Sequence, residues 1–165
     1  MKKVIFFRPG ECMISQWSDD LAITEEGKEK TETSVRNIMD IANGEVVIVL
    51  SASNETCEES ADIFDTLFNP SHTSFEALCP DPEEICTSIL VKGLDIISDF
   101  ECMADIIVII AECPFLIDLH RHFVRVWQNI DSDFKDIEPS CGQVVCLDGS
   151  ELSYLICPDG IHATE

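Results

Sequence analysis

Positive charge is scarce in this sequence. Ten lysines and arginines face thirty-two aspartates and glutamates, a formal net charge of −22 over 165 residues. The bases (Lys2, Lys3, Arg8, Lys28, Lys30, Arg36, Lys92, Arg121, Arg125 and Lys135) are scattered, with no basic run. A field of that sign repels nucleic acid, anionic lipid and free phosphate compounds unless a local basic pocket overrides it. Nucleic-acid and membrane partners are therefore not expected. The acidity reads first as solubility or an acidic cytosol, and second as a face that recruits a basic protein partner.

Long apolar runs are missing too. The longest covers residues 106–111, the length of a buried strand and far below the roughly 20 residues that cross a bilayer. At the start, only four apolar residues follow Lys2 and Lys3, fewer than the roughly 7–15 of a signal-peptide core. The expectation is a soluble cytoplasmic protein. Cysteine is plentiful, at nine, but the count is odd and no Cys-x-x-Cys pair occurs. Zinc-knuckle and thioredoxin-type chemistry are accordingly disfavoured. Cys146 and Cys157 lie inside apolar stretches, where a free thiol packs as a small hydrophobe in a reducing compartment.

What is present is ordinary for a globular domain: 45% apolar and 25% charged residues. No repeat, low-complexity segment or dividing linker appears, so residues 1–165 read as one domain. Apolar residues 4–7 form a short buried strand that stops at Arg8-Pro9-Gly10. Thr24 can cap a helix that buries Val35, Ile38, Met39 and Ala42 and stops at Asn43-Gly44. A strand follows at 46–50. A polar loop at 51–54, with Ser53 or Asn54 as cap, leads to a helix at about 55–67. Residues 69–73 read as loop, 75–78 as a short edge strand, and Pro82 as the first turn of the next helix. The strand at 105–110 should be central. After a loop at 111–114, a long helix carries one apolar stripe: Phe115, Leu116, Leu119, Phe123, Val126, Trp127 and Ile130. Two strands near 143–147 and 152–157 flank a turn at 148–150 and look like a hairpin. Strands alternating with helices predict a mostly parallel α/β sheet covered on both faces. Ligands in such sheets bind outside the carboxyl ends of the strands, here the loops near Arg8, Ser51 and Glu112.

Those loops carry a resemblance. Phe6-Phe7-Arg8-Pro9-Gly10-Glu11 is similar to the opening Arg-His-Gly-Glu of the histidine phosphatase (phosphoglycerate-mutase-like) superfamily. Ile23-Thr24-Glu25-Glu26-Gly27 is similar to its Leu-Thr-x-x-Gly. Residues 50–61, Leu-Ser-Ala-Ser-Asn-Glu-Thr-Cys-Glu-Glu-Ser-Ala, stand where the family has Ser-Ser-Pro-x-x-Arg-Ala-x-x-Thr-Ala. Residues 108–115 match its late strand and following loop. By length the chain is closest to the short SixA-type phosphohistidine phosphatases. The resemblance implies a three-layer α/β/α sandwich and a phosphate-handling set of one nucleophilic His, two Arg and a second His.

Of that set only Arg8 remains. Pro9 stands at the nucleophile, Thr56 at the second Arg and Glu112 at the second His. Proline has neither a side-chain nucleophile nor a backbone donor, and loss of a covalent nucleophile costs on the order of a millionfold in turnover. Glu112 sets negative charge where positive charge belongs, worth roughly 4 kcal/mol for a unit pair about 4 Å apart at an effective dielectric near 20. The expectation is a non-catalytic binding or regulatory module, its ligand-binding positions being Arg8, Gly10, Glu11, Ser51, Thr56 and Glu112. An Arg8–Glu112 ion pair would close the old site. The alternatives are a hydrolase rebuilt around Arg8, Glu11 and Glu112, and an acidic interaction scaffold. Cys12, beside Glu11, lacks the cations a catalytic thiolate needs. A cation held by Glu11, Glu112 and Cys12 or Cys113 would be short of ligands. No metal and no cofactor is expected. His72 reads as a loop residue, His162 as tail, and His120 and His122 as surface or core of the long helix.

Overall fold

In the computed structural model, which describes residues 1–14, 21–147 and 153–163, four buried residues fix the centre. Val4, Ile5, Phe6 and Phe7 of β1 (Lys3–Phe7) are wholly buried. A strand apolar on both sides must be covered on both faces. The rings show how: Phe6 meets Phe123 edge-on at 5.4 Å, whereas the next residue, Phe7, meets Phe64 at 5.3 Å. Successive side chains of a strand point to opposite faces, so the helices carrying Phe123 and Phe64 lie on opposite sides of the sheet.

The elements follow the predicted alternation. After β1 come β2 (Cys12–Ile14), β3 (Leu21–Ile23), α1 (Glu25–Ala42), β4 (Val47–Ala52), α2 (Glu55–Phe68) and β5 (Ser71–Phe75). Then come α3 (Thr87–Phe100), β6 (Ile106–Ile110), α4 (Phe115–Gln128), β7 (Gly142–Cys146), β8 (Tyr154–Cys157) and β9 (Gly160–Ala163). The seven-stranded sheet has the order β5-β4-β6-β1-β7-β8-β9. The strands β5, β4, β6 and β1 are parallel, and β7, β8 and β9 add an antiparallel meander. The sheet is mostly parallel, and α1 packs with α2 and α3 with α4, giving the three-layer α/β/α arrangement. Right-handed crossovers put α1 and α2 on one face and α3 on the other. No helix among the described residues is long and apolar enough to cross a membrane.

Local chemistry explains the helix ends. Thr24 Oγ1 accepts from the Gly27 N–H at 2.9 Å and Asn54 Oδ1 from the Cys57 N–H at 3.1 Å, so Asn54 is the cap of α2. Each such cap is worth about 1 kcal/mol. Asn43 and Asn69 close α1 and α2 in the left-handed conformation, which asparagine tolerates better than most residues.

Several expectations need correction. Ser51 belongs to β4 and is buried. The edge strand is at 71–75, polar except for Phe75 and largely exposed, which hides it from an apolar-pattern reading, and Glu76–Leu78 is a 3-10 turn. Pro82 opens a short 3-10 turn, Pro82–Glu84, and α3 starts only at Thr87. Val126 and Ile130 are more than half exposed, and the buried face of α4 uses His120 and Val124 instead. The β7–β8 hairpin is present, while its turn at 148–150 and Leu152 lie outside the described residues. The two-stranded β2–β3 ribbon and the strand β9 had no clear sequence signal.

Candidate functional site

Three parallel strands end level with one another. Phe7 pairs with Ile110, and Ile110 with Ser51. The segments that follow β1, β4 and β6 therefore emerge together at the carboxyl edge, bringing Arg8, the first turn of α2 and Glu112 into one neighbourhood. Thr56 there donates its hydroxyl to Glu112 Oε1 at 2.6 Å. The Glu112 carboxylate thus rests against the N-terminal turn of α2, where the helix dipole favours negative charge. Burial first and Glu112 second push the Cys12, Cys57 and Cys79 thiols up. Cys12 is accordingly kept from its thiolate.

Arg8 turns away from this pair. Its Nη1 donates to the Ile137 carbonyl at 2.6 Å and lies 3.6 Å from Asp136 Oδ1. The expected Arg8–Glu112 ion pair is replaced by one to Asp136, because the segment before β7 passes closer to the guanidinium. That segment also clamps the first loop. The Arg8 N–H donates to the Cys141 carbonyl at 2.9 Å, and the Ser140 N–H is shared between the Arg8 and Pro9 carbonyls at 3.1 and 3.2 Å. Ser140 sits at φ 63°. Its hydroxyl bonds Thr31 Oγ1 at 2.9 Å, and its carbonyl accepts from Ser34 Oγ at 2.6 Å. Residues 136–141 are thus part of the site and were missed, since nothing in Glu138-Pro139-Ser140 marks a partner for residues far away in sequence.

Pro9 and Gly10 are buried. A Cβ on Gly10 would stand 2.8 Å from Ile23 Cγ2 and 2.9 Å from the Gly27 carbonyl oxygen. One on Gly27 would stand 2.7 Å from the Glu11 carbonyl oxygen. The two glycines let the first loop lie against the first turn of α1, and the Thr24 N–H seals the contact by donating to the Glu11 carbonyl at 2.8 Å. Glu11 itself is exposed.

Ser51 does not reach Glu112. Its hydroxyl is wholly buried and bonds His72 Nε2 at 2.8 Å, and His72 Nδ1 lies 3.5 Å from Asp65 Oδ2. The order Ser–His–Asp resembles a nucleophile relay, but a hydroxyl with no solvent exposure admits no substrate. It ties the edge strand β5, where His72 lies, to β4. His120 is buried between Phe6 and Phe134, and burial pushes it down to about 4. His122 is half-buried on α4, and His162 on β9 bonds Asp159 at 2.9 Å. No cluster of three or more His, Cys, Asp or Glu among the described residues is arranged to hold a metal ion.

A wide cleft among the described residues lies away from Arg8, Thr56 and Glu112. It holds about 760 Å³ and opens between the start of α1 and the β7–β9 meander. Glu11, Asp136, Glu138 and Asp159 line it against Lys30 and His162, with Cys141 and Cys157 among its apolar walls. The hollow beside Glu112 holds only about 40 Å³.

Comparison with solved structures matches this architecture. The chain superposes on the protein histidine phosphatase SixA complexed with tungstate, with a TM-score of 0.68, 16% identity and coverage of 95% of this chain and 97% of that one. This chain has the histidine phosphatase fold. The alpha-ribazole phosphatase from Shigella flexneri aligns at TM-score 0.64, 12% identity, over 86% of this chain and 89% of its own. Phosphoglycerate mutase from Plasmodium falciparum aligns at TM-score 0.58, 16% identity, over 99% and 89%. No family model and no curated protein matches the sequence. At 12–16% identity, the likeness to these SixA, ribazole phosphatase and phosphoglycerate mutase structures is one of fold.

Proposed function

We infer that this protein is a non-catalytic member of the histidine phosphatase fold, acting as a binding or regulatory module. The observation that carries this reading is the 2.6 Å hydrogen bond from Thr56 to Glu112. With it, the chain's own carboxylate occupies the N-terminal turn of α2, the kind of place where an oxyanion would be held. An incoming phosphoryl group would meet that charge without displacing it. Two further features support the reading. Pro9 offers no atom that can accept a phosphoryl group, and Arg8, the remaining cation, is engaged by Asp136 and the Ile137 carbonyl.

The test is hydrolysis of p-nitrophenyl phosphate and of phosphohistidine peptides by the purified chain. No turnover above background is expected. Turnover that Arg8→Ala and Glu112→Ala abolish would overturn the reading in favour of a hydrolase rebuilt around Arg8, Glu11 and Glu112. Turnover unchanged by both substitutions would mark a contaminant.

The wide cleft favours a second, compatible reading, in which the module engages a basic protein partner. Its walls carry Glu11, Asp136, Glu138 and Asp159, and the molecule around it has a net charge of −22. Such a partner would bind by charge complementarity. Its retention on immobilised protein should fall steeply between low salt and about 0.5 M, where the Debye length shrinks to a few ångströms. Retention insensitive to salt would count against it.

A further inference from the structure

Cys141 and Cys157 stand one step beyond the last pair of the β7–β8 ladder. The register pairs Gly142 with Ile156 and Gln143 with Leu155, so the next step outward sets Cys141 directly opposite Cys157. Directly opposed residues of an antiparallel pair have Cα atoms about 4.5–5.5 Å apart, within the roughly 4.4–6.8 Å that a disulfide spans. The two side chains are near enough to perturb each other's proton affinity, and both line the 760 Å³ cleft. Their backbones are anchored independently. The Cys141 carbonyl accepts from the Arg8 N–H at 2.9 Å, and the Cys157 carbonyl accepts from Asn37 Nδ2 at 3.0 Å. The pair is thus held in place by β1 on one side and α1 on the other.

We propose that Cys141 and Cys157 form a thiol modification site, closed to a cross-strand disulfide by a small-molecule disulfide entering the cleft. Cys157 is the attacking sulfur, being half-exposed whereas Cys141 is buried. Cys157 loses its proton and attacks one sulfur of the reagent. A mixed disulfide forms, and one reagent thiolate leaves and takes up a proton. Cys141 then loses its proton and attacks Cys157 Sγ, expelling the second reagent thiolate, which is protonated in turn. Two protein thiols are oxidised and one disulfide is reduced to two thiols. Burial holds both thiols above the ordinary range and the carboxylates of Glu138 and Asp159 add to it, while their mutual proximity favours loss of the proton from Cys157 over Cys141. The reaction is therefore slow at neutral pH, as expected of a thiol that is not a thiolate. Once closed, the bridge fixes the hairpin whose first residue holds the Arg8 loop.

The full chain is incubated with oxidised glutathione, quenched in acid, alkylated and digested for mass spectrometry. Cys86 is an internal control: it is exposed and its thiol is lowered by Ser88 and by backbone hydrogen bonds, so it takes up glutathione. The expected result is a peptide in which Cys141 is linked to Cys157, both thiols being lost together with no glutathione left on either. In Cys157→Ser, Cys141 should stay reduced while Cys86 is still modified. Free thiols at both positions after prolonged incubation at about pH 8.5, where thiolate is more abundant and Cys86 is long since modified, or a mixed disulfide that persists on Cys157, would overturn the proposal.

Discussion

Thr56 is nearly buried and donates to a half-buried carboxylate at 2.6 Å, so its replacement leaves a charge short of a partner. A hydrogen bond to a charged group that is lost in this way costs about 1–3 kcal/mol. Thr56→Val should lower the urea unfolding free energy by that amount, and Glu112→Gln in the same background should recover part of it. A Thr56→Val variant as stable as the parent would mean that the bond contributes nothing. His120 makes a second prediction at this scale. Burial, and after it Arg121, pushes its folded value from 6.5 down to about 4. The unfolded chain thus takes up this proton at higher pH than the folded chain. The contribution is complete above about pH 6.5 and is lost as pH falls toward 4, amounting to about 3 kcal/mol. Urea midpoints measured from pH 7 to 4 should fall, and His120→Phe should flatten that part of the profile. Identical profiles for parent and variant would contradict the assignment. The chemistry of Pro9 and Glu112 is intrinsic to the residues, so at single positions an expectation about them needs no knowledge of neighbours. The partner of Arg8 is not legible in this way, because that contact spans more than a hundred residues and Asp136 sits in no motif.

Two close approaches between elements differ in kind. At Gly27 an added Cβ would press on backbone, 2.7 Å from the Glu11 carbonyl oxygen; at Gly93 it would press on a side-chain tip, 2.7 Å from Leu119 Cδ1. Backbone cannot step aside without moving the first loop, whereas a leucine methyl can rotate. Gly27→Ala should therefore destabilise by about 1–3 kcal/mol. Gly93→Ala, inside α3, should cost far less, since alanine is about 1 kcal/mol better than glycine within a helix. Thermal unfolding of the two variants side by side checks the order, and equal losses would refute it. The same contrast explains what was legible. Elements buried on a full face (β1, β4, β6, α1 and α4) announce themselves by apolar pattern. The β2–β3 ribbon exposes Met13, Ile14 and Leu21, β5 is largely polar, and β9 has three exposed residues. Their place is set by neighbours across the sheet, and no local period records that.

Across the whole molecule, 32 acids crowd a surface that carries 10 bases. Like charges repel more in the compact state than in the expanded one. Added sodium chloride should therefore raise the melting temperature by several degrees between about 10 mM and 0.5 M, as screening shortens the range of repulsion. A flat or falling melting temperature would show that the paired charges outweigh the net field. The fold survives at 16% identity to a structure that holds tungstate, so the decisive question is whether this chain still grips such an anion. Isothermal titration of the purified protein with sodium tungstate asks it directly. No saturable heat is expected in the parent protein, because Glu112 and the net charge of −22 oppose the anion. A saturable, stoichiometric isotherm that disappears in Arg8→Ala would contradict that expectation.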